Sequence, residues 1–218
     1  MRIVLFCDSS GHPVVSYMKC WLEEYILRRN IDFDIEIVTN AKCIGSGSIL
    51  FLISCNQFIS SEYRGKFTNV LVLHASDLPD GRGWNPHVWQ FLEGKKHITV
   101  SLLEADEHID SGDVWKKTSF EIYNVDLVED INAKLFNSEF YLIEWAIENF
   151  ETVVPINQVG KSSYYNKRTP EDSELNIDLP LKKLLPILRI SDPDRYPAYF
   201  ILEGVKFFLN ISKESNIE

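Results

Sequence analysis

Residues 73–115, LHASDLPDGRGWNPHVWQFLEGKKHITVSLLEADEHIDSGDVW, form the most informative segment of this chain. It leads from the end of one apolar strand through a loop rich in proline and glycine to a second apolar strand that precedes Asp-Ser-Gly-Asp. His74 and Asp110 lie 36 residues apart, each where a strand gives way to a loop. In an open α/β sheet, ligands bind at that edge. The spacing predicts that a histidine and a carboxylate act together on one substrate.

Apolar runs alternate with helical patterns along the first two thirds of the chain. The runs that predict strands are residues 2–7, 33–38, 48–54, 69–73, 98–103 and 119–123. The patterns that predict helices are residues 14–29, 87–92 and 126–150. This alternation predicts an α/β fold, with a Rossmann-like, mostly parallel sheet and helices on both faces.

The character of the chain changes after residue 150. Residues 155–180 are polar and predict a loop, and residues 181–188 predict a short helix. We therefore expect a catalytic domain over residues 1–150 and a C-terminal extension of loop, helix and β-hairpin over residues 151–218.

The most apolar part of this extension is residues 196–209, which predict a hairpin that turns at Glu203-Gly204. Such a hairpin is not stable with both faces in water. We expect one face to pack on the main domain, against the helix at 126–150, and the other to pair with a second copy in a homodimer. The alternative is that both faces are buried within one chain.

Composition narrows the class of protein. The chain has 218 residues, of which 45% are hydrophobic and 12% aromatic, enough for a packed core. A net charge of −10 disfavours a nucleic-acid partner. The N-terminal apolar run, residues 3–7, is too short for a signal-peptide core or a membrane span, so we expect a cytoplasmic protein without a membrane partner.

The four cysteines, Cys7, Cys20, Cys43 and Cys55, form no CxxC pattern. We therefore expect reduced thiols and no metal site.

Three segments carry a resemblance to a known family. HASDLPDGRGWNP (74–86) and DSGD (110–113) resemble the core of the 10-formyltetrahydrofolate-dependent formyltransferases. KRTPEDSELNID (167–178) is similar to a segment that follows the catalytic domain in the sugar and tRNA branches of that family. The resemblance implies that N10-formyltetrahydrofolate is the co-substrate and that its formyl group passes to an amine. It also implies that His74 and Asp110 are the catalytic histidine and aspartate.

The chemistry explains why these residue types are needed. The amine must lose a proton and the folate nitrogen must gain one, which a histidine can mediate near neutral pH. A neighbouring carboxylate fixes the orientation of that histidine, or relays protons through water. The family usually carries an asparagine two residues before the histidine, as an oxyanion donor, where this chain has Val72. Asn85, Asn56 or a backbone N–H is expected to replace it, with Asn85 as the first candidate.

The resemblance also implies where ligands bind. The folate pterin is expected against backbone groups of two segments: Cys55, Asn56, Gln57, Phe58 and Ile59, and Asp106, Glu107, His108 and Ile109. The acceptor is expected near Ser9, Ser10, Gly11, Arg82 and Trp84, with Tyr164, Tyr165 and Arg168 within reach. His87 and His97 belong to no motif and are expected at the surface.

Within the family, the segments HASDLPDGRGWNP and SCNQFI most resemble the sequences of enzymes that formylate pseudaminic-acid-type and related bacterial surface sugars. The residues after Phe150 are fewer than the C-terminal domain of the tRNA branch requires, which favours a small amino-sugar acceptor, nucleotide-linked or sialic-acid-like. Two alternatives stay open. One is a folate or nucleotide-sugar binding protein that has lost activity, and the other is a hydrolase that cleaves formyl-folate to formate.

Overall fold

A computed structural model describes residues 1–29 and 33–214. The strands in these residues are β1 Arg2–Phe6, β2 Asp34–Val38, β3 Gly47–Ile53, β4 Phe67–His74, β5 Arg82–Gly83, β6 His97–Glu104, β7 Val114–Glu121, β8 Tyr164–Tyr165, β9 Tyr199–Leu202 and β10 Val205–Phe208. The helices are α1 Pro13–Arg29, α2 Ser61–Arg64, α3 Pro86–Leu92, α4 Val128–Asn149 and α5 Leu181–Ile190. Single turns of 3-10 helix occur at Ala41–Cys43 and Pro170–Ser173.

Six strands form the central sheet, in the order β2-β1-β3-β4-β6-β7. The first four are parallel to one another, and β6 and β7 join antiparallel. The predicted mostly parallel α/β fold is confirmed. The antiparallel direction of β6 corrects one expectation, because the end of β6 does not lie at the same edge of the sheet as the end of β4. The segment after Glu104 must therefore double back to bring Asp110 towards His74.

The continuous apolar runs arise because both faces of the sheet are buried. In β1, Ile3 and Leu5 lie in the core under one face, while Val4 and Phe6 lie in the core under the other. The same alternation holds along β3 and β4. Successive side chains of a strand point to opposite faces, so a strand covered on both sides has no polar positions.

Long helices cover only one face of the sheet. The Trp21 ring of α1 stacks on Tyr25 and on Phe140 of α4, at centroid distances of 4.8 and 5.5 Å. The other face is covered by short elements that contribute Ile44 and Ile59. Among the described residues, no helix is both long enough and apolar enough to cross a lipid bilayer.

Residues 156–165, here called the strap, are not the free loop that their polarity predicted. Ile156 forms a β-bridge with Val114, the first residue of β7. Further along, β8 pairs in parallel with β5, which is the loop that follows His74. The strap therefore joins the two segments of the chain that carry the predicted catalytic residues.

The hairpin of β9 and β10 forms as predicted, with positive φ angles of 49° at Glu203 and 79° at Gly204 in its turn. Its packing differs from the prediction. Phe200 belongs to a separate small core with Leu184 and Leu188 of α5, not to the core around α4. The alternative of two buried faces is wrong, because apolar residues in both strands are exposed, namely Ile201, Leu202, Val205, Phe207 and Phe208.

Candidate active site

His74 is the last residue of β4, and its side chain is only 6% exposed. Nε2 lies 2.8 Å from the carbonyl oxygen of Gly81, which can only accept a hydrogen bond, so Nε2 carries a proton. Nδ1 lies 3.5 Å from Oδ2 of Asp110. In the neutral ring, the free lone pair is therefore on Nδ1, on the side of the carboxylate.

Asp110 is held by its own backbone and by the loop after His74. Its φ of 53° is in the left-handed region, and its carboxyl group is 8% exposed. Oδ2 accepts a hydrogen bond from the backbone N–H of Gly83 at 2.8 Å. Gly112 completes the turn, because a Cβ there would lie 2.0 Å from the carbonyl oxygen of Glu104. The turn thus fixes a buried carboxylate beside the histidine.

The candidate oxyanion donors differ in whether their polar groups already form hydrogen bonds within the protein. Val72 and Asn85 both line the cavity in front of His74. Asn85 has a φ of 48° at the start of α3, and its side chain makes no capping hydrogen bond. Asn56 is tied to Asp8, which it contacts through its backbone N–H at 2.7 Å and its amide nitrogen at 3.4 Å. Of the two asparagines, Asn85 has the freer amide.

The cavity in front of His74 has a volume of about 210 Å³. Both segments expected to hold the folate line it, with Cys55, Asn56, Gln57, Phe58, Ile59, Asp106, His108 and Ile109. Glu107 does not line it. Sequence analysis missed Asp8, whose Oδ2 accepts hydrogen bonds from the backbone N–H groups of Asn56 and Gln57 and so fixes the first segment.

Only some of the residues expected around the acceptor line the cavity. Trp84 and Arg168 line the cavity, whereas Ser9, Ser10 and Gly11 lie in the turn before α1 and do not. Arg82, Tyr164 and Tyr165 are also outside the lining. The turn before α1 contributes His12 to the cavity instead, and the expectation that Ser9, Ser10 and Gly11 bind the acceptor stays a prediction.

Arg82 and Tyr164 belong to a brace that sequence analysis did not find. The amide nitrogen of Gln158 donates to the carbonyl oxygens of Asp110 and Gly112, both at 2.8 Å. Its amide oxygen accepts from Arg82 Nη2 at 2.7 Å, and Arg82 Nη1 contacts the Tyr164 hydroxyl at 3.2 Å. One glutamine of the strap thus ties the aspartate turn to the loop after His74. A glutamine in a polar segment carries no pattern that could have revealed this.

The wall of the cavity on the side of α1, α3 and α4 carries titratable groups with shifted pKa values. Burial, with a further contribution from Arg195, lowers the pKa of His12 to about 4. Burial lowers the pKa of His87 to about 3, helped by the nearby His12 and Arg168. His87 lines the cavity, so its expected surface position is wrong. On α4, burial raises the pKa of Glu139 to about 8.

Residues 12–146 match the family model described as formyl transferase. Methionyl-tRNA formyltransferase of Rickettsia felis is 30% identical over 107 residues, which are 49% of this chain and 35% of that protein. The chain therefore spans about a third of the length of the curated relatives it matches.

Solved structures share the fold. A methionyl-tRNA formyltransferase from Clostridium thermocellum aligns with a TM-score of 0.83 at 21% identity, over 100% of this chain and 95% of its own. A sugar N-formyltransferase from a Shewanella species aligns with a TM-score of 0.72 at 19% identity, over 100% and 99%. HypX from Aquifex aeolicus, in complex with tetrahydrofolic acid, aligns with a TM-score of 0.78 at 21% identity, over 97% and 37%.

Proposed function

We propose, on the basis that this chain belongs to the formyl transferase family, that it moves a formyl group from N10-formyltetrahydrofolate to the amine of an amino sugar. The observation that carries the proposal is the buried pair of His74 and Asp110, with Nδ1 3.5 Å from Oδ2 at the wall of a cavity. Because Nε2 is committed to the Gly81 carbonyl, Nδ1 is the ring nitrogen that can accept a proton.

In the proposed reaction the amine nitrogen attacks the formyl carbon, and the carbonyl electron pair moves to oxygen. His74 Nδ1 takes the proton that the amine loses, and Asp110 stabilises the imidazolium that forms. When the tetrahedral intermediate collapses, its bond to the folate nitrogen breaks and that nitrogen takes the proton from His74. The products are the N-formyl sugar and tetrahydrofolate.

Asn85 is the proposed donor to the oxyanion. Its side chain makes no cap bond, and it lines the same cavity as His74. Because Val72 has no donor at the position usual in the family, this amide would supply the hydrogen bond that typically contributes about 10²–10³ in rate.

The donor end of the cavity suits a flat heteroaromatic ring. Leu52, Phe58, Ile59 and Ala105 supply apolar surface around the two backbone segments expected to recognise the pterin. Asp8 holds the segment 55–59 by accepting hydrogen bonds from two of its backbone N–H groups. The other backbone polar groups of this segment are therefore held in fixed positions. The HypX structure in complex with tetrahydrofolic acid supports folate as the donor by its shared fold.

An amino sugar is the proposed acceptor for two reasons. The sequence of residues 74–86 resembles that of sugar-modifying members of the family, and this chain aligns with 99% of the chain of a sugar N-formyltransferase. Methionyl-tRNA is the second candidate, favoured by the curated relatives. The length of the chain does not separate the two, since a methionyl-tRNA formyltransferase structure is covered to 95%. The net charge of −10 favours the small acceptor.

The test is to incubate the protein with formyl-folate and a panel of amino sugars, with methionyl-tRNA in parallel, and to identify formylated products by mass spectrometry. A formylated sugar is expected. Formylated methionyl-tRNA alone would establish the second candidate, formate released without an acceptor would indicate a hydrolase, and folate binding without turnover would indicate a binding protein.

The same assay tests the catalytic pair. His74→Ala is expected to lower turnover about 10²–10⁴-fold, the range for a general base, with folate affinity nearly unchanged. Asp110→Asn should act in the same direction. His97→Ala, at the exposed start of β6, is the matched control and should leave turnover unchanged. A His74→Ala protein that keeps more than about a tenth of the rate would contradict the role.

A further inference from the structure

One wall of the cavity has no role in the reaction described above. It is formed by His12, His87, Glu139, Arg168 and Arg195, here called the acceptor wall. These residues come from the starts of α1 and α3, from the middle of α4 and from the chain on either side of α5. The segments expected to hold the folate, residues 55–59 and 105–109, line other parts of the same cavity.

Glu139 is a buried carboxyl with an unpaired oxygen. Its residue is 3% exposed, and Oε2 makes no hydrogen bond within the described part of the chain. Glu144, one and a half turns further along α4, shows the ordinary arrangement, since its Oε1 accepts from Trp21 Nε1 at 2.8 Å and from Arg28 at 2.9 Å. A buried polar group left unpaired is costly, and native proteins seldom carry one without a reason.

Arg168 is the second such group on this wall. It is 5% exposed, and its Nη2 donates to Ser173 Oγ at 2.9 Å, but its Nε has no partner in residues 1–29 or 33–214. In those residues only one further buried side-chain atom lacks a partner, the hydroxyl of Ser76. Two of the three unpartnered atoms therefore belong to the acceptor wall, which is the pattern expected where a ligand supplies the missing hydrogen bonds.

The two guanidinium groups of this wall both lie near the ring of Tyr196. The Cζ atoms of Arg168 and Arg195 are 5.1 and 5.8 Å from the centroid of the Tyr196 ring, so both lie around a single aromatic side chain. Arginine presents several N–H donors in a plane, which suits a carboxylate or a phosphate. The wall thus combines two arginines with one isolated carboxyl, that of Glu139.

We propose that the acceptor wall binds an amino sugar that carries a carboxylate or a phosphate, with Arg168 and Arg195 on the anion and Glu139 on a hydroxyl or amine of the ring. The inference rests on the proposed function, since it concerns the acceptor of that reaction. Glu139, with its raised pKa, is a neutral carboxyl near neutral pH that can both donate and accept a hydrogen bond, so it does not repel an anionic ligand.

The first experiment measures binding by calorimetry with tetrahydrofolate present. Three probes share one glucosamine core: glucosamine, its phosphate ester, and muramic acid, which adds a carboxylate. At least one charged probe should bind about tenfold or more tightly than glucosamine, the effect of one charge-assisted hydrogen bond. Preference for the phosphate ester or for muramic acid identifies the anion. Equal binding of all three, or binding of none, would overturn the inference.

The second experiment uses variants. Glu139→Leu and Arg195→Gln should each weaken binding of the preferred probe about tenfold or more. Glu139→Leu should keep or raise the melting temperature, because it removes an unpaired buried polar group. Tetrahydrofolate affinity should stay the same in both variants. Arg28→Gln, on the outer side of α1, removes a charge away from the cavity and is the matched control. Unchanged probe affinity in both variants would show that the wall is structural.

These results separate the inference from the proposed function. If the protein formylates neutral and charged amino sugars equally well, the proposed function holds and the inference fails. If the charged probe binds through Glu139 and Arg195 but no formyl group is transferred, the binding site stands and the proposed reaction fails.

Discussion

The strap and the hairpin both follow α4, and they contact the rest of the protein in different ways. The strap is polar in sequence, yet its backbone pairs with the loop after His74 and its Gln158 holds the Asp110 turn. The hairpin is among the most apolar parts of the sequence, yet Phe208 is 66% exposed and only a few of its residues reach the small core on α5. The polarity of the sequence was therefore a poor guide to how firmly each segment is attached to the rest of the protein.

The difference shows which interactions attach each segment. Backbone groups must find partners wherever the chain runs, so a polar segment can be fixed by hydrogen bonds to another loop without burying a side chain. An apolar hairpin can form from local turn geometry alone and remain without a surface to cover it. We propose that a second copy of the chain covers the exposed face of the hairpin.

Replacing a glycine by alanine in each of the two regions is expected to give the largest difference in stability. A Cβ at Gly83 would lie 2.4 Å from the Tyr165 carbonyl oxygen, and its φ is 96°, so Gly83→Ala should separate the strap from its loop. We expect a loss of about 3 kcal/mol or more in stability, because the clash adds to a backbone strain of about 1–3 kcal/mol, and nearly complete loss of turnover.

Gly204→Ala is the counterpart in the hairpin turn, with a φ of 79° and open space around the new methyl group. It should cost only about 1 kcal/mol, the penalty for a left-handed alanine. Urea denaturation of both variants measures the contrast. Equal losses would mean that the strap is no more tightly bound than the hairpin.

Gln158 is expected to act as a positioning residue. Gln158→Glu can keep the contact to Arg82 but loses the two N–H donors to the Asp110 turn. Turnover should fall about 10–100-fold, since a small misplacement of a catalytic group has effects of this size, while the KM for formyl-folate changes little. Asn157→Ala, which removes a contact to Asp113, is the neighbouring control. A parallel change in kcat and KM in both variants would point to a general loosening of the strap.

A pH titration of stability tests the acceptor wall through its buried carboxyl, Glu139. The folded pKa of Glu139, about 8, is above its unfolded value of 4.5, so the folded state holds an extra proton between these values and stability falls as pH rises. The depressed pKa values of His12 and His87 have the opposite effect, but only below pH 6.5, where unfolded histidine gains a proton. Between pH 6.5 and 8 only Glu139 contributes among these three.

Over that window, stability should decline by up to about 2 kcal/mol, at about 1.4 kcal/mol per unit. Glu139→Gln should flatten the decline, as measured by urea midpoints at several pH values. The same decline in wild type and variant would contradict the buried carboxyl as its cause.

The smallest expected effect on turnover is in the hairpin. Ile201→Lys and Phe208→Ser change exposed side chains far from the His74 pair in the chain, so turnover should change less than about twofold, as for most surface substitutions. Sedimentation at micromolar concentration should show a dimer for the wild type and a monomer for the variants. A wild-type monomer at all concentrations would mean that the exposed face has no partner copy.

The sequence by itself was sufficient for features that depend on neighbouring residues. Continuous apolar runs predicted β1, β3, β4 and β6 within one or two residues, because a strand buried on both faces has no polar positions. The glutamate-glycine pair predicted the hairpin turn, because a two-residue turn needs positive φ angles. The motifs around His74 and Asp110 indicated the family that the match over residues 12–146 establishes. The boundary at residue 150 stays a prediction.

How groups far apart in the chain meet became visible only in the folded molecule. Asp110 reaches His74 through a chain reversal after an antiparallel strand, where sequence analysis expected two strands ending at one edge. Gln158 and Asp8 fix loops 46 to 49 residues away in the chain. Within the part of the chain that the structure describes, Glu139 Oε2 has no hydrogen-bond partner, and the hydrophobic pattern of α4 gives no sign of this. Such contacts join residues far apart in sequence through single side chains, so they leave no period or spacing that a sequence could reveal.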